Sequence, residues 1–81
     1  MRSTAWKIPI TIDDPETGFH RTVKTARQAQ NLLHYNWPDT HGSRYRDAER
    51  ACEEVVHGDA APRKARKAFI AAAIEAHLHL S

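Results

Sequence analysis

The chain has 81 residues, a formal net charge of +2 and a single cysteine. One cysteine excludes an internal disulfide, and this length predicts one domain, 1–81, that leaves much of its surface uncovered. No apolar run approaches the about 20 residues of a membrane span, and the start MRSTAWKIPITID lacks the apolar core of a secretory signal. We therefore expect a cytoplasmic protein.

Residues 5–24 have the pattern of a β-hairpin. Every second residue of the first strand is large and apolar, which indicates one buried face: Trp6, Ile8, Ile10 and Ile12. Pro9 cannot donate a ladder hydrogen bond, so one side of this strand should be a sheet edge near Pro9. The turn-forming stretch 13–18 then leads into the returning strand. Two strands alone are marginally stable in water, so a helix must cover their apolar face.

Three helices are predicted to follow the hairpin: about 25–36, 43–57 and 60–79. Thr25 and Gln28 have the capping-box spacing that starts a helix. We expect Ser43 to cap the second helix and Asp59 the third, with Gly58 as a left-handed cap between them. The predicted fold class is α+β, with an N-terminal two-stranded antiparallel β-hairpin packed on three α-helices.

The third predicted helix is apolar on two sides in its C-terminal half. Phe69 lies on one side, among alanines, and indicates core packing. The other side carries a second apolar stripe: Ile70, Ile74 and Leu78. Either the protein's own hairpin covers this stripe or a second copy of the protein does. We favour the second copy, and predict a homodimer or higher oligomer, with the free hairpin edge as an additional contact.

A basic turn at the start of the third helix offers a second hypothesis, a nucleic-acid-associated regulator. Its cations are Arg63, Lys64, Arg66 and Lys67. The second and third helices are joined by a short turn containing glycine, as in a helix-turn-helix. This helix has no Asn, Gln, Ser or Thr before Ser81 to read base edges, so nucleic acid is the less favoured partner.

The loop after the first helix mixes an aromatic, a carboxylate and an imidazole in Trp37, Asp39 and His41. Loops often carry function, so these residues are candidates for contact with a partner or ligand, and an enzyme at this loop is the weakest alternative. The competing interpretation is that Trp37 belongs to the core. Cys52 lies on an apolar helix face and is expected to be buried. The six histidines lack the spacing of helical zinc ligands, so we predict no catalytic residue, metal or cofactor.

Several short motifs, taken together with their spacing, are typical of a known protein family. They are Ile-Pro-Ile at 8–10, Trp37-Pro38, Gly42, Cys52, Gly58 and Ala-Arg-Lys-Ala-Phe at 65–69. From Trp6 to His77 the chain resembles domain of unknown function 982, a family of small bacterial proteins. The resemblance implies a compact α+β domain and no established activity. The function we predict from the residues is therefore a homo-oligomeric protein-interaction or structural module without catalytic activity.

Overall fold

The computed structural model describes residues 5–14, 17–38 and 41–80. Its elements are β1 (Ala5–Asp14), β2 (Phe19–Thr25), α1 (Ala26–Tyr35), α2 (Ser43–Val56), α3 (Pro62–Glu75) and β3 (His79–Leu80). A hairpin followed by three helices confirms the predicted α+β class. β1 lies between β2 and β3 in an antiparallel sheet. Among the described residues, no helix combines the length and apolar character that a bilayer span requires.

The core lies between the sheet and the helices, with Phe69 of α3 as its largest fully buried side chain. The Phe69 ring centroid is 5.7 Å from that of Trp6 on β1 and 5.3 Å from that of Trp37 after α1. Small buried residues let α2 and α3 approach closely: Ala48, Ala51, Cys52, Ala65, Ala72 and Ala73. The three aromatic rings therefore join the sheet to the helical layer.

Two of the predicted helix ends are confirmed. The backbone N–H of Gln28 donates to Thr25 Oγ1 at 3.0 Å, and Gln28 Oε1 accepts from the N–H of Lys24 at 2.7 Å. The side chain of Gln28 thus reaches the residue before the N-cap rather than the cap itself. At the end of α2, Gly58 has a φ of 84°, and the Asp59 N–H donates to the Glu54 carbonyl. This is the expected left-handed cap.

The prediction that the last helix continues to residue 79 is wrong. α3 ends at Glu75, and His77 adopts a left-handed φ of 61°. The N–H of Leu78 donates to the Ala73 carbonyl at 2.9 Å, and that of His77 to the Ile74 carbonyl at 3.0 Å. These two bonds form a Schellman motif. It turns the chain so that Leu78 enters the core and the next residues pair with β1, which gains apolar burial that a longer helix would lose.

The predicted side-chain caps of α2 and α3 are also wrong. Ser43 is the first residue of α2, and the N-cap position is Gly42, which makes no side-chain capping bond. α3 begins at Pro62, with Ala61 as its N-cap, so Asp59 lies too early to cap it. Pro62 occupies the first turn of α3, where its missing N–H costs nothing.

Candidate functional site

β1 departs from the predicted alternation at Ile8. The interval from Ala5 to Ile10 on β1 faces only the interval from Thr25 to Val23 on β2, so β1 bulges between these pairs. The bulge contains Pro9, which has no N–H to donate to a ladder. It turns the Ile8 side chain outward, where 64% of it is exposed. The prediction that Ile8 shares the buried face of the strand is therefore wrong.

Arg66 of α3 holds the bulged segment against the start of the helix. Its Nε donates to the carbonyl oxygen of Ile8 at 2.8 Å. In the described part of the chain, β3 pairs only with Ile12 and Asp13 of β1, so no strand lies along β1 at Ile8 on that side. The hydrogen-bond partner recorded for this carbonyl is thus an arginine side chain rather than a neighbouring strand.

A groove of about 380 Å³ lies between the bulged segment and the N-terminal end of α3; we call it the β1–α3 groove. Its apolar lining residues are Ala5, Trp6, Ile8, Ala61 and Pro62. Three cations complete the lining, namely Lys7, Arg63 and Arg66, and the described residues contribute no carboxylate to it. The volume lies within the range of ordinary binding sites. The groove is therefore apolar on its walls and positive in charge.

Trp6 lines this groove and also carries an unsatisfied buried donor. Its side chain is 6% exposed, and its indole Nε1 is buried without a hydrogen-bond partner among the described residues. Trp37 has the second buried indole in that condition, but it does not line the groove. Buried indole N–H groups normally have an acceptor. Trp6 is thus the groove residue whose hydrogen bonding is incomplete.

The exposed side of α3 continues from the groove towards the C-terminal end of the helix. Arg63, Lys67, Ile70 and Ile74 recur at intervals of four and three residues, so they share one face, here called the outer stripe. A wider depression of about 740 Å³ includes the first three among its lining. Ile70 is half-buried, and Ile74 is 62% exposed. The outer stripe is cationic beside the groove and apolar at its far end.

The structure divides the residues predicted for self-association. Leu78 lies beyond the end of α3 and is only 7% exposed, because it packs into the core of its own subunit. Ile70 is partly covered by that core, and Ile74 alone is well exposed. The prediction of one continuous apolar stripe through all three residues is wrong, since the helix ends before Leu78.

The four cations of the predicted nucleic-acid contact do not form one free patch. Lys64 Nζ lies 2.6 Å from Glu54 Oε1, and Arg66 donates to the β1 backbone. Arg63 and Lys67 remain on the outer stripe, where the described residues provide neither with an ion-pair partner. Two of the four cations thus have structural roles, which reduces the charge available to a phosphate backbone.

The loop candidates Trp37 and His41 have different environments. Trp37 is half-buried and packs on Phe69 and, at 6.5 Å between centroids, on Tyr45. His41 is exposed, and its ring stacks on Tyr45 at 4.0 Å with an interplanar angle of 2°. Asp39 lies outside the described residues. Trp37 therefore belongs to the core, as the competing interpretation has it, and His41 covers one face of Tyr45.

Cys52 is buried, as the sequence predicts. Burial raises the pKa of its thiol to about 12, and a thiol that stays neutral at physiological pH is a poor nucleophile. In the part of the chain that the structure describes, no three His, Cys, Asp or Glu residues are grouped to hold a metal ion. His34 instead lies 3.2 Å from Glu49 on the neighbouring helix.

Two features of this surface had no clear signal in the sequence. Pro9 indicates an edge strand, but nothing local predicts that Ile8 turns outward or that Arg66 reaches its carbonyl. The second is Glu75, whose carboxylate oxygens accept from the N–H groups of Arg44 and Tyr45, both at 3.2 Å. Both are contacts between residues distant in the chain, which local patterns do not encode.

The comparison with protein families agrees with the resemblance noted in the sequence. A family model described as protein of unknown function (DUF982) matches residues 8–80. No curated protein and no solved structure matches the chain. The family description assigns no activity, so the function has to be argued from the surface of this chain.

Proposed function

The chain belongs to the DUF982 family, and we propose that it is a protein-interaction module without catalytic activity that binds through the exposed side of α3. The observation that carries this proposal is the position of two exposed isoleucines, Ile8 and Ile74, beside opposite ends of that helix. Between them lie the groove and the outer stripe. An apolar surface rimmed by charges is typical of a site that contacts another protein.

Self-association is the first interaction we propose for this surface, through Ile70 and Ile74. Two copies related by a two-fold axis could pack the C-terminal halves of their α3 helices against each other in antiparallel orientation. That packing would bury both isoleucines of each copy. It would also place the cations Arg63 of the two copies at opposite ends of the interface, which limits their repulsion.

Two further observations support a non-catalytic role. The Cys52 thiol has a pKa raised to about 12, so little thiolate exists to act as a nucleophile. The apolar groove offers cations from Arg63 and Arg66 but no carboxylate or histidine from the described residues that could serve as a general base.

For the location of the protein in the cell, we propose the cytoplasm, because a free thiol fits a reducing compartment.

Sedimentation velocity from about 5 to about 500 μM, a range that spans micromolar association, tests the self-association. The wild type should sediment as a dimer at the upper end and dissociate on dilution. Ile74→Lys should be monomeric throughout, because a cation would be repeated across the two-fold axis. Tyr35→Lys, which changes another exposed apolar residue on α1, is the matched control and should associate like the wild type. A wild type that remains monomeric at the highest concentration would refute the homo-oligomer.

A further inference from the structure

We propose that the β1–α3 groove binds an extended acidic segment of a partner protein, which adds as a strand along β1 at Ile8. The inference rests on the proposed role in protein interaction, but not on self-association, which uses the other end of α3. The partner is defined by its chemistry: an extended backbone, small apolar side chains and carboxylates.

The backbone of β1 at Ile8 is suited to accept a strand. β3 covers only Ile12 and Asp13 on that side in the described structure. The Ile8 carbonyl is held by the side chain of Arg66 rather than by a strand. Addition of an extended peptide to such an edge satisfies its backbone groups and leaves side-chain pockets to provide selectivity.

The lining of the groove matches apolar side chains of small size. Trp6, Ile8 and Pro62 provide apolar wall, and the volume of about 380 Å³ accommodates a few side chains rather than a folded element. Alternate residues of a strand project to opposite sides. A peptide in which valine alternates with glutamate can therefore offer valine to the walls and carboxylates to the surrounding charges.

The charges that line the groove favour a partner of negative charge. Lys7, Arg63 and Arg66 all line it, and no carboxylate of the described residues opposes them. The N-terminal end of α3 adds its positive partial charge to the same region. A second copy of this chain would bring three like charges against these three, so the groove favours a different, acidic partner.

Arg66 can exchange its hydrogen-bond partner when the peptide arrives. In the free protein its Nε donates to the Ile8 carbonyl at 2.8 Å. A peptide N–H can replace that donor, and the guanidinium can then donate to a peptide carboxylate, where its charge gains a stronger partner. The number of hydrogen bonds to Ile8 is thereby preserved.

The test uses a fluorescein-labelled eight-residue peptide that alternates Glu and Val, with Gln-Val and Lys-Val peptides for comparison. Fluorescence anisotropy with the full chain at low salt should show the Glu-Val peptide binding at least about tenfold more tightly than either. The preference should fall as salt rises, because the charges are partly exposed. In ¹H–¹⁵N spectra the indole signal of Trp6 should shift on binding, with that of Trp37 as the internal reference.

Variants assign the binding to the groove. Arg63→Gln should weaken the Glu-Val peptide by about fivefold, the size expected for one partly exposed ion pair. Arg46→Gln removes the same charge in the first turn of α2, which is tied to the opposite end of α3 through Glu75, and should change binding by less than about twofold. Equal losses in both variants would mean general charge attraction and would overturn the proposal.

The remaining outcomes separate this inference from the proposed function. If Gln-Val or Lys-Val peptides bind as tightly and shift Trp6, the groove is a peptide site but the acidic partner is wrong. If no peptide shifts Trp6, or a single-stranded oligonucleotide binds with Arg63-dependent affinity instead, peptide binding in the groove is refuted. Self-association is measured on other residues, so its result stands independently of either outcome.

Discussion

The carboxylate of Glu75 accepts a hydrogen bond from the backbone N–H of Tyr45, with 3.2 Å between Oε1 and the nitrogen. Its other oxygen accepts from the N–H of Arg44. The start of α2 has no side-chain cap of its own, and the first N–H groups of a helix need acceptors. Glu75 thus acts as the cap of α2 and places a negative charge at its positive end.

Removing this carboxylate should destabilise the fold. We expect Glu75→Ala to lower the free energy of unfolding by about 1 kcal/mol, the usual cost of a lost helix cap. For a domain of this size, the melting temperature should fall by about 4–8 °C. Thermal unfolding followed by circular dichroism provides the measurement. Glu53→Ala, at an exposed position of α2, is the control and should change the melting temperature little; equal effects would contradict the capping role.

Gly42 should be coupled to Glu75. A methyl group added at Gly42 would lie 2.6 Å from Glu75 Oε2, so Gly42→Ala should displace the carboxylate from the start of α2. We expect the substitution to cost about 1 kcal/mol in the wild type, since it removes the same cap. In the Glu75→Ala background the obstacle is gone, and Gly42→Ala should cost almost nothing. A double-mutant cycle from urea unfolding measures this coupling, and additive effects would exclude it.

Substitution of His77 by glycine should stabilise the protein. His77 has a φ of 61° at the position after α3 where glycine is preferred. A side chain in this left-handed region costs about 1–2 kcal/mol, so we expect His77→Gly to raise the free energy of unfolding by about 1 kcal/mol. His77→Ala keeps a Cβ atom and should give no such gain. If His77→Gly does not raise the free energy of unfolding measured in urea, the assignment of a Schellman motif with His77 in the left-handed position is wrong.

The stability of the protein should decrease above pH 9 because of Cys52. The thiol pKa is raised by burial from 9.0 to about 12 in the folded state. Above pH 9 the unfolded chain therefore loses this proton while the folded chain keeps it, which favours unfolding. Between pH 8 and pH 10 the expected loss is about 1.3 kcal/mol. Urea unfolding at both pH values measures this loss. The free energy of unfolding of Cys52→Ala should fall less between the two pH values than that of the wild type. An equal fall in both proteins would contradict the raised pKa of the Cys52 thiol.

The parts of the fold that the sequence predicts correctly depend on neighbouring residues. Thr25 and Gln28 lie three residues apart and start α1 as their spacing indicates. Gly58 ends α2 because glycine readily adopts the left-handed backbone conformation that this position requires. This requirement depends on the local backbone alone. The inner faces of the helices also follow from periodicity, as the full burial of Phe69 illustrates. Each of these signals lies within one or two helical turns of chain.

The parts that were not predicted depend on contacts across the molecule. The pairing of Leu80 with Ile12 ends the last helix early, and no glycine marks that end. Glu75 caps α2 by accepting from Tyr45, which lies thirty residues before it in the chain. The bulge that exposes Ile8 depends on how β1 pairs with β2 around Pro9. The candidate surface is built from these distant contacts, which explains why the sequence pointed to α3 but not to the groove.

We propose above that two copies of this protein associate through the exposed side of α3. A dilution series of ¹H–¹⁵N spectra from about 1 mM to about 20 μM, spanning weak to micromolar affinities, tests it residue by residue. If the proposal is correct, the amides of Lys67, Ile70 and Ile74 should shift with concentration, and those of α1 and β2 should not. Spectra that do not change on dilution, or shifts confined to β2, would contradict it.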